Sequence, residues 1–331
     1  MTCAGLRLIL LLAAVPAPAV ALSSDIPAVE LSPGRSTYPV TKAQVLLDPD
    51  GTFSIEDIRA LESGGAALWA ATDRFNFGYS KARHWLKVPV SNRGANEDNW
   101  LLELGYPMIQ VVEFHQYAGA RKLASYKTGR LLPFSSRPIR HHTFLFGFSV
   151  PKGASTDLYL MVQSNGTIFA PLSISTKDAF LAQSVGKTMA IGIYVGIILA
   201  MVLYNFFLLL AFRDRNYLFY IVYAATFCLL LSSLNGMTYQ YLWPDWPDWN
   251  KVSVPVLVGI SYLFLALFTK SFLETRRLVP RLDMGLNAMI AGALFLMVGG
   301  AFSYGLFVNR FTSLFISVVP LVVIPISARC M

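Results

Sequence analysis

Arg137, Arg140, His141 and His142 stand together just ahead of the Phe144–Phe148 run. Guanidinium and imidazole N–H groups in one short stretch are suited to holding an anion or a sugar hydroxyl. Trp85 adds a ring able to stack on a sugar face. We therefore expect a ligand-facing group of Trp85, Arg137, Arg140, His141 and His142. The competing reading makes the Arg-His cluster a solvated strand end and sets Trp85 against the second face of a sheet. Catalysis has no comparable foothold. No cysteine or acidic pair stands at zinc-ligand spacing from His84, His115, His141 or His142, and no G-x-S-x-G elbow occurs. No catalytic residue, metal site or cofactor is expected, and the chain reads as a binding protein rather than an enzyme.

The elements that must position these residues are strands. Leu86, Val88 and Val90 alternate with Trp85, Lys87 and Pro89; Phe144, Phe146 and Phe148 alternate with Leu145, Gly147 and Ser149; Leu158, Leu160 and Val162 alternate with Tyr159, Met161 and Gln163. Period two over such runs marks half-buried antiparallel strands. Trp100–Leu104, Gln110–Tyr117, Arg121–Lys127 and Thr167–Ser175 are further candidates, and Ser54–Glu62 reads as a short capped helix. So many strands fill two packed sheets, and a sandwich or jelly roll is expected. This domain, residues 22–186, contains no cysteine, so a hydrophobic core must hold it without disulfides.

Ahead of it, Arg7, the apolar run Leu8–Val15 and Ala19-Val20-Ala21 have the three parts of a secretory signal peptide over residues 1–21. The break at Pro16 and Pro18 favours cleavage before Leu22 over an uncleaved signal-anchor. Behind it, residues 187–331 carry five apolar runs: Thr188–Phe212, Tyr217–Met237, Val252–Phe272, Gly285–Val308 and Phe311–Ala328. Each is near the ~20 residues that cross ~30 Å of hydrocarbon. A mean hydropathy of +0.51 agrees. The expected fold is thus an exported all-β sandwich or jelly-roll domain followed by an α-helical transmembrane bundle.

Charge sets the orientation. If 22–186 is exported, Arg213, Arg215, Lys270, Arg276, Arg277, Arg281 and Arg329 lie inside and only Lys251 and Arg310 lie in the later outer connections. That satisfies the positive-inside rule and puts residues 22–186 on the outer side of the membrane. The net charge of +8 does not mark a nucleic-acid binder, because 16 Lys and Arg face 14 Asp and Glu between Leu22 and Gly186. The span interiors carry no charged residue, which argues against a pump or transporter. Asn205 and Asn235 are the polar exceptions, read as interhelical hydrogen-bonding residues or as part of a switch. Tyr239, Tyr241, Trp243, Trp246 and Trp249 read as an interfacial belt, with a ligand cage as the alternative.

The order of motifs resembles one bacterial family, the seven-transmembrane receptors with diverse intracellular signalling modules. Leu47-Asp48-Pro49-Asp50-Gly51, Asn76-Phe77-Gly78-Tyr79 with His84-Trp85-Leu86, Asn99 through Leu104, Thr128-Gly129-Arg130 through Arg137-Pro138, and Leu158 through Ser164 resemble its second type of extracellular domain. Gly196, Tyr204-Asn205, Phe212 through Leu218, Tyr220, Asn235-Gly236 and Tyr239 through Pro244 resemble its spanning domain. The resemblance implies a jelly-roll sensor for carbohydrate-like or other small ligands, a seven-helix transducer, a cytoplasmic output module such as a diguanylate cyclase or histidine kinase, and a homodimer. Five spans without an output module depart from that plan, and an incomplete gene product is expected. The function expected is that of a sensory receptor for signal transduction, coupled through the joint at Lys177–Lys187. The alternative is a membrane-anchored binding or assembly protein that does not signal.

Overall fold

Alternation along Arg83–Asn92 does become a strand, and the whole N-terminal half is built the same way. The computed structural model describes residues 26–65, 68–95, 99–278, 280–302 and 305–330. The signal peptide expected at 1–21 and its boundary at Leu22 lie outside the described residues. In chain order the elements are β1 (Val29–Leu31), β2 (Thr37–Pro39), β3 (Ala43–Asp48), α1 (Ile55–Ser63), β4 (Ala70–Thr72), β5 (Asn76–Tyr79), β6 (Arg83–Asn92) and β7 (Asn99–Leu104). There follow β8 (Val111–Ala118), β9 (Arg121–Thr128), β10 (Phe144–Ser149), β11 (Ser155–Gln163), β12 (Thr167–Phe169) and β13 (Leu172–Thr176). The helices are α2 (Lys177–Phe212), α3 (Arg215–Leu234), α4 (Met237–Tyr241), α5 (Pro247–Phe272), α6 (Thr275–Leu278), α7 (Pro280–Phe302) and α8 (Leu306–Cys330).

Two sheets face each other. One runs β4-β3-β6-β11-β8-β9, with β1 added parallel to β6; the other runs β10-β7-β13-β2. Phe146 pairs with Leu102, and Leu102 with Ile174, across the smaller sheet. Leu160 sits between Leu86 and Phe114 in the larger one. The inward rings meet between the layers, where Phe114 stacks on Phe146 with centroids 4.8 Å apart. Leu86, Val88, Leu102, Leu158 and Ile174 are each at most 1% exposed around them.

The expected single strand Thr167–Ser175 is two strands. Pro171 has no N–H to give, so the run breaks there: β12 leaves to pair with β5, and β13 joins β7. The expected helix forms as α1, where Ser54 and Asp57 exchange bonds in a capping box, Asp57 N to Ser54 Oγ at 3.2 Å and Ser54 N to Asp57 Oδ2 at 2.9 Å. Ile55 and Ile58 of α1 are buried against Trp85, Tyr159 and Met161 on the outer face of the larger sheet.

Among the described residues α2, α3, α5 and α7 (from Asp283) are long and apolar enough to cross a membrane; α8 has a shorter apolar stretch, Phe307–Val319. Two expected boundaries move. The first helix starts at Lys177, capped by Thr176 Oγ1, so the joint Lys177–Lys187 is its first turns and leans on β7 and β13. Where a break is expected at Asn309-Arg310, α8 has already begun at Leu306 and both residues are helical. Their polarity serves a contact: Asn309 Nδ2 donates to Asn165 O at 3.2 Å and the Arg310 guanidinium lies 5.5 Å from the Tyr79 ring centre. The bundle is closest at α5 and α7. A Cβ on Gly259 would lie 2.7 Å from Ala293 O, so only glycine permits that approach.

Candidate functional site

The β domain is seated on the helices through its loops. Met108 packs into the cluster of Leu230, Val254, Leu257 and Val258 at one end of the bundle. Phe134 meets Tyr239 edge to face at 5.7 Å, the Tyr239 hydroxyl donates to Leu132 O, and Phe134 N donates to Pro244 O at 3.0 Å. Arg130, 4% exposed, donates to Asn250 O and to Ser253 Oγ at 3.3 Å, while Asn250 Nδ2 returns a bond to Arg130 O at 3.2 Å. Trp243 Nε1 donates to Asn250 Oδ1 at 3.2 Å. Of the expected aromatic belt, Tyr241 and Trp246 are exposed as an interfacial ring would be; Tyr239, buried at 2%, is instead a docking residue.

On the other side of this seat, a cleft of about 590 Å³ opens between the smaller sheet and α2. Glu103 of β7 and Ser173 of β13 line the sheet wall, and His141, His142 and Thr143 close one end. Phe180, Gln183, Ser184 and Lys187 of α2 form the opposite wall, which continues as Ala190 and Ile191 toward the membrane. Gly236 brings the end of α3 up to this place. Its φ of +77°, and a His142 O only 2.6 Å from where a Cβ would be, leave no room for another residue.

The electrostatics of the cleft are unusual for so polar a lining. Arg137 lies behind it, its guanidinium between the rings of Phe134 (4.7 Å) and Phe144 (4.4 Å). Its Nη1 donates to His141 O at 2.5 Å and Thr143 O at 3.0 Å, and burial pulls its pKa down to about 10. Arg137 thus holds the backbone that presents the histidines. His141 Nδ1 lies 2.8 Å from Thr143 Oγ1 and 3.2 Å from Thr143 N, and its Nε2 lies 3.2 Å from Ser184 Oγ, so the ring links the loop to α2. Desolvation first, then the Arg137 and Lys187 charges, bring His141 down to about 4. His142, its ring centre 4.0 Å away, falls to about 3 through desolvation, then His141, Arg137 and Lys187. Both rings are neutral hydrogen-bonding groups near neutral pH. Glu103, 6% exposed, accepts from Thr143 Oγ1 at 3.1 Å and Ser173 Oγ at 3.4 Å.

Of the residues expected to face a ligand, the fold brings His141 and His142 to the cleft, with Arg137 buried behind them. Arg140 is exposed and does not line it. Trp85 is elsewhere: 1% exposed beneath α1, its ring 6.1 Å from that of His115, it covers the second face of the larger sheet. Strand alternation sets it there, opposite Leu86 and Val88. Among the described residues Asn205 and Asn235 make no interhelical bond; each amide donates to its own helix, to Met201 O at 2.9 Å and Leu231 O at 3.0 Å. Glu103, Ser184 and Lys187 escaped sequence reasoning as site residues. A carboxylate amid Leu101, Leu102 and Leu104 was the available signal. Among the described residues no group of His, Cys, Asp and Glu could hold a metal ion.

An antiparallel β domain joined to helices long and apolar enough to cross a membrane, with a polar cleft where the two meet, defines the class of membrane-anchored β-domain proteins. The family comparison agrees: the family described as 7TMR-DISM extracellular 2 matches residues 41–176, and that described as 7TM diverse intracellular signalling matches residues 187–331. The chain belongs to the seven-transmembrane receptors with diverse intracellular signalling modules, a family of membrane sensory receptors. A search of curated proteins gives no match.

Proposed function

We propose that this receptor takes a small ligand in the cleft between the smaller sheet and α2, and that the occupied cleft changes how α2 packs against α3. The observation that carries the reading is the His141–Ser184 contact, 3.2 Å long, which joins the sheet side of the cleft to α2. A ligand lying there touches both walls at once. It can transmit only the difference in its affinity for two arrangements of those walls, typically ~1–3 kcal/mol. The seat at Arg130, Tyr239 and Asn250 fixes the β domain to α4 and α5, so relative movement is left to α2. The same reading places the protein in a bacterial inner membrane with the β domain in the periplasm. In its support, the β domain meets the α3–α5 connection and the first residues of α8, while Arg213, Arg215, Arg276 and Arg277 lie at the other helix ends. Catalysis is not part of the proposal, and a homodimer is.

The test is a thermal-shift screen of small molecules against the whole chain in lipid nanodiscs, run beside His141→Ala. Compounds that stabilise the wild type and lose that effect in His141→Ala support the cleft. Hits indifferent to His141→Ala and to Ser184→Ala would move the site elsewhere.

A further inference from the structure

Two opposite charges face this cleft without a mate. Glu103 is buried on the sheet wall and, among the described residues, forms no salt bridge; its oxygens accept from the hydroxyls of Thr143 and Ser173. Lys187 stands on the α2 wall, exposed, and also forms no salt bridge among the described residues. A desolvated carboxylate is costly unless a cation meets it. His141 and His142 do not supply that cation, since both lie well below their ordinary range.

We infer that the cleft binds a small zwitterion, with its ammonium group on Glu103 and its acidic group on Lys187. The inference rests on the cleft being the ligand site. Each end of such a ligand neutralises one wall, and the neutral His141 and His142 beside it offer hydrogen bonds without repelling either end. A neutral sugar would leave Glu103 buried and unpaired; a simple anion would meet Lys187 and be repelled by Glu103. The zwitterion also ties the sheet to α2 by two charge-assisted contacts, which is what a ligand must do to bias that helix. Its source is either a free amino acid or the phosphoethanolamine head of a lipid, because Ala190 and Ile191 continue the α2 wall toward the membrane.

The experiment uses the whole chain in phosphatidylglycerol nanodiscs. In one arm, each of the common L-amino acids and O-phosphoethanolamine is titrated by calorimetry. In the other, phosphatidylethanolamine is added to the disc and its retention is read by native mass spectrometry. Saturable binding in either arm is expected, at least tenfold weaker for the N-acetylated probe in both arms and for the carboxamide of an amino-acid hit. Glu103→Gln keeps the shape, with an amide oxygen to accept from one of the two hydroxyls and an NH2 group facing the oxygen of the other. It should weaken the zwitterion at least tenfold and erase the preference over the N-acetyl form. Lys187→Gln, on an exposed helix position, should weaken it similarly and erase the preference for the acid. No binding in either arm, or binding that both substitutions leave unchanged, overturns the inference. A neutral oligosaccharide that binds the wild type and fails with His141→Ala would overturn the zwitterion while leaving the cleft as the site.

Discussion

His141 and Ser184 meet across 3.2 Å, one on the loop before β10 and the other on the third turn of α2. The other ring nitrogen, Nδ1, lies 2.8 Å from Thr143 Oγ1, so the neutral imidazole is held between two hydroxyls, one on each side of the cleft. Proton uptake would make both ring nitrogens donors and place a third cation beside Arg137 and Lys187.

The first prediction concerns pH. His141 and His142 are held below the usual value of 6.5, at about 4 and about 3. The unfolded chain therefore binds protons before the folded chain does, so the stability carried by the neutral rings is present above pH 6.5 and declines as pH falls through 4 toward 3. Thermal unfolding in nanodiscs should show this decline, shallower in His141→Asn and His142→Gln. An equal slope in all three proteins would deny the histidines this role.

Asn250→Ala should loosen the seat of the β domain. It removes the bond to Arg130 O and the acceptor of the Trp243 indole, leaving a buried carbonyl and a half-buried indole to find other partners. The expected cost is ~1–3 kcal/mol. Hydrogen exchange would register it as faster exchange at residues 130–134 and in α4, with the strands of the larger sheet unchanged.

Phe146→Ala should cost ~3–5 kcal/mol, as expected for emptying a fully buried ring site. Phe146 is 0% exposed and stacked on Phe114, so the cavity opens between the two sheets. Urea unfolding followed by near-ultraviolet circular dichroism is the measurement, and a midpoint close to wild type would remove Phe146 from the core.

Orientation is tested with single cysteines in a chain whose own cysteines are changed to serine. Arg121→Cys on exposed β9 should react with an impermeant maleimide once the outer membrane is opened. Arg277→Cys, on the α6 turn, should react only after lysis. The reverse pattern would invert the topology.

Strand alternation made the sandwich legible: Leu86, Phe146 and Leu160 stand inward as their period requires. It also carries the information that removes Trp85 from the ligand group, since a residue opposite Leu86 must lie on the far face. What covers that face, helix α1, is a tertiary fact with no period of its own. The short strands β1, β2 and β4 were not legible, because three residues are too few to show alternation. The cleft was half legible. His141 and His142 declared themselves by type, whereas Glu103 and Lys187 are brought to one cavity only when α2 folds back over β7 and β13.

The unbroken run of α2 from its Thr176 cap to Phe212 turns a local event into leverage. From Lys187 to Phe212 the helix is a rod of roughly 38 Å at 1.5 Å per residue. A tilt of about 5° pivoting at the cleft would carry its far end sideways by about 3 Å, an amplitude within the range by which helices shift at interfaces. No loop lies between pivot and tip to absorb the swing. Arg213, held in the left-handed conformation at the tip with φ 54°, is where the stroke would be delivered.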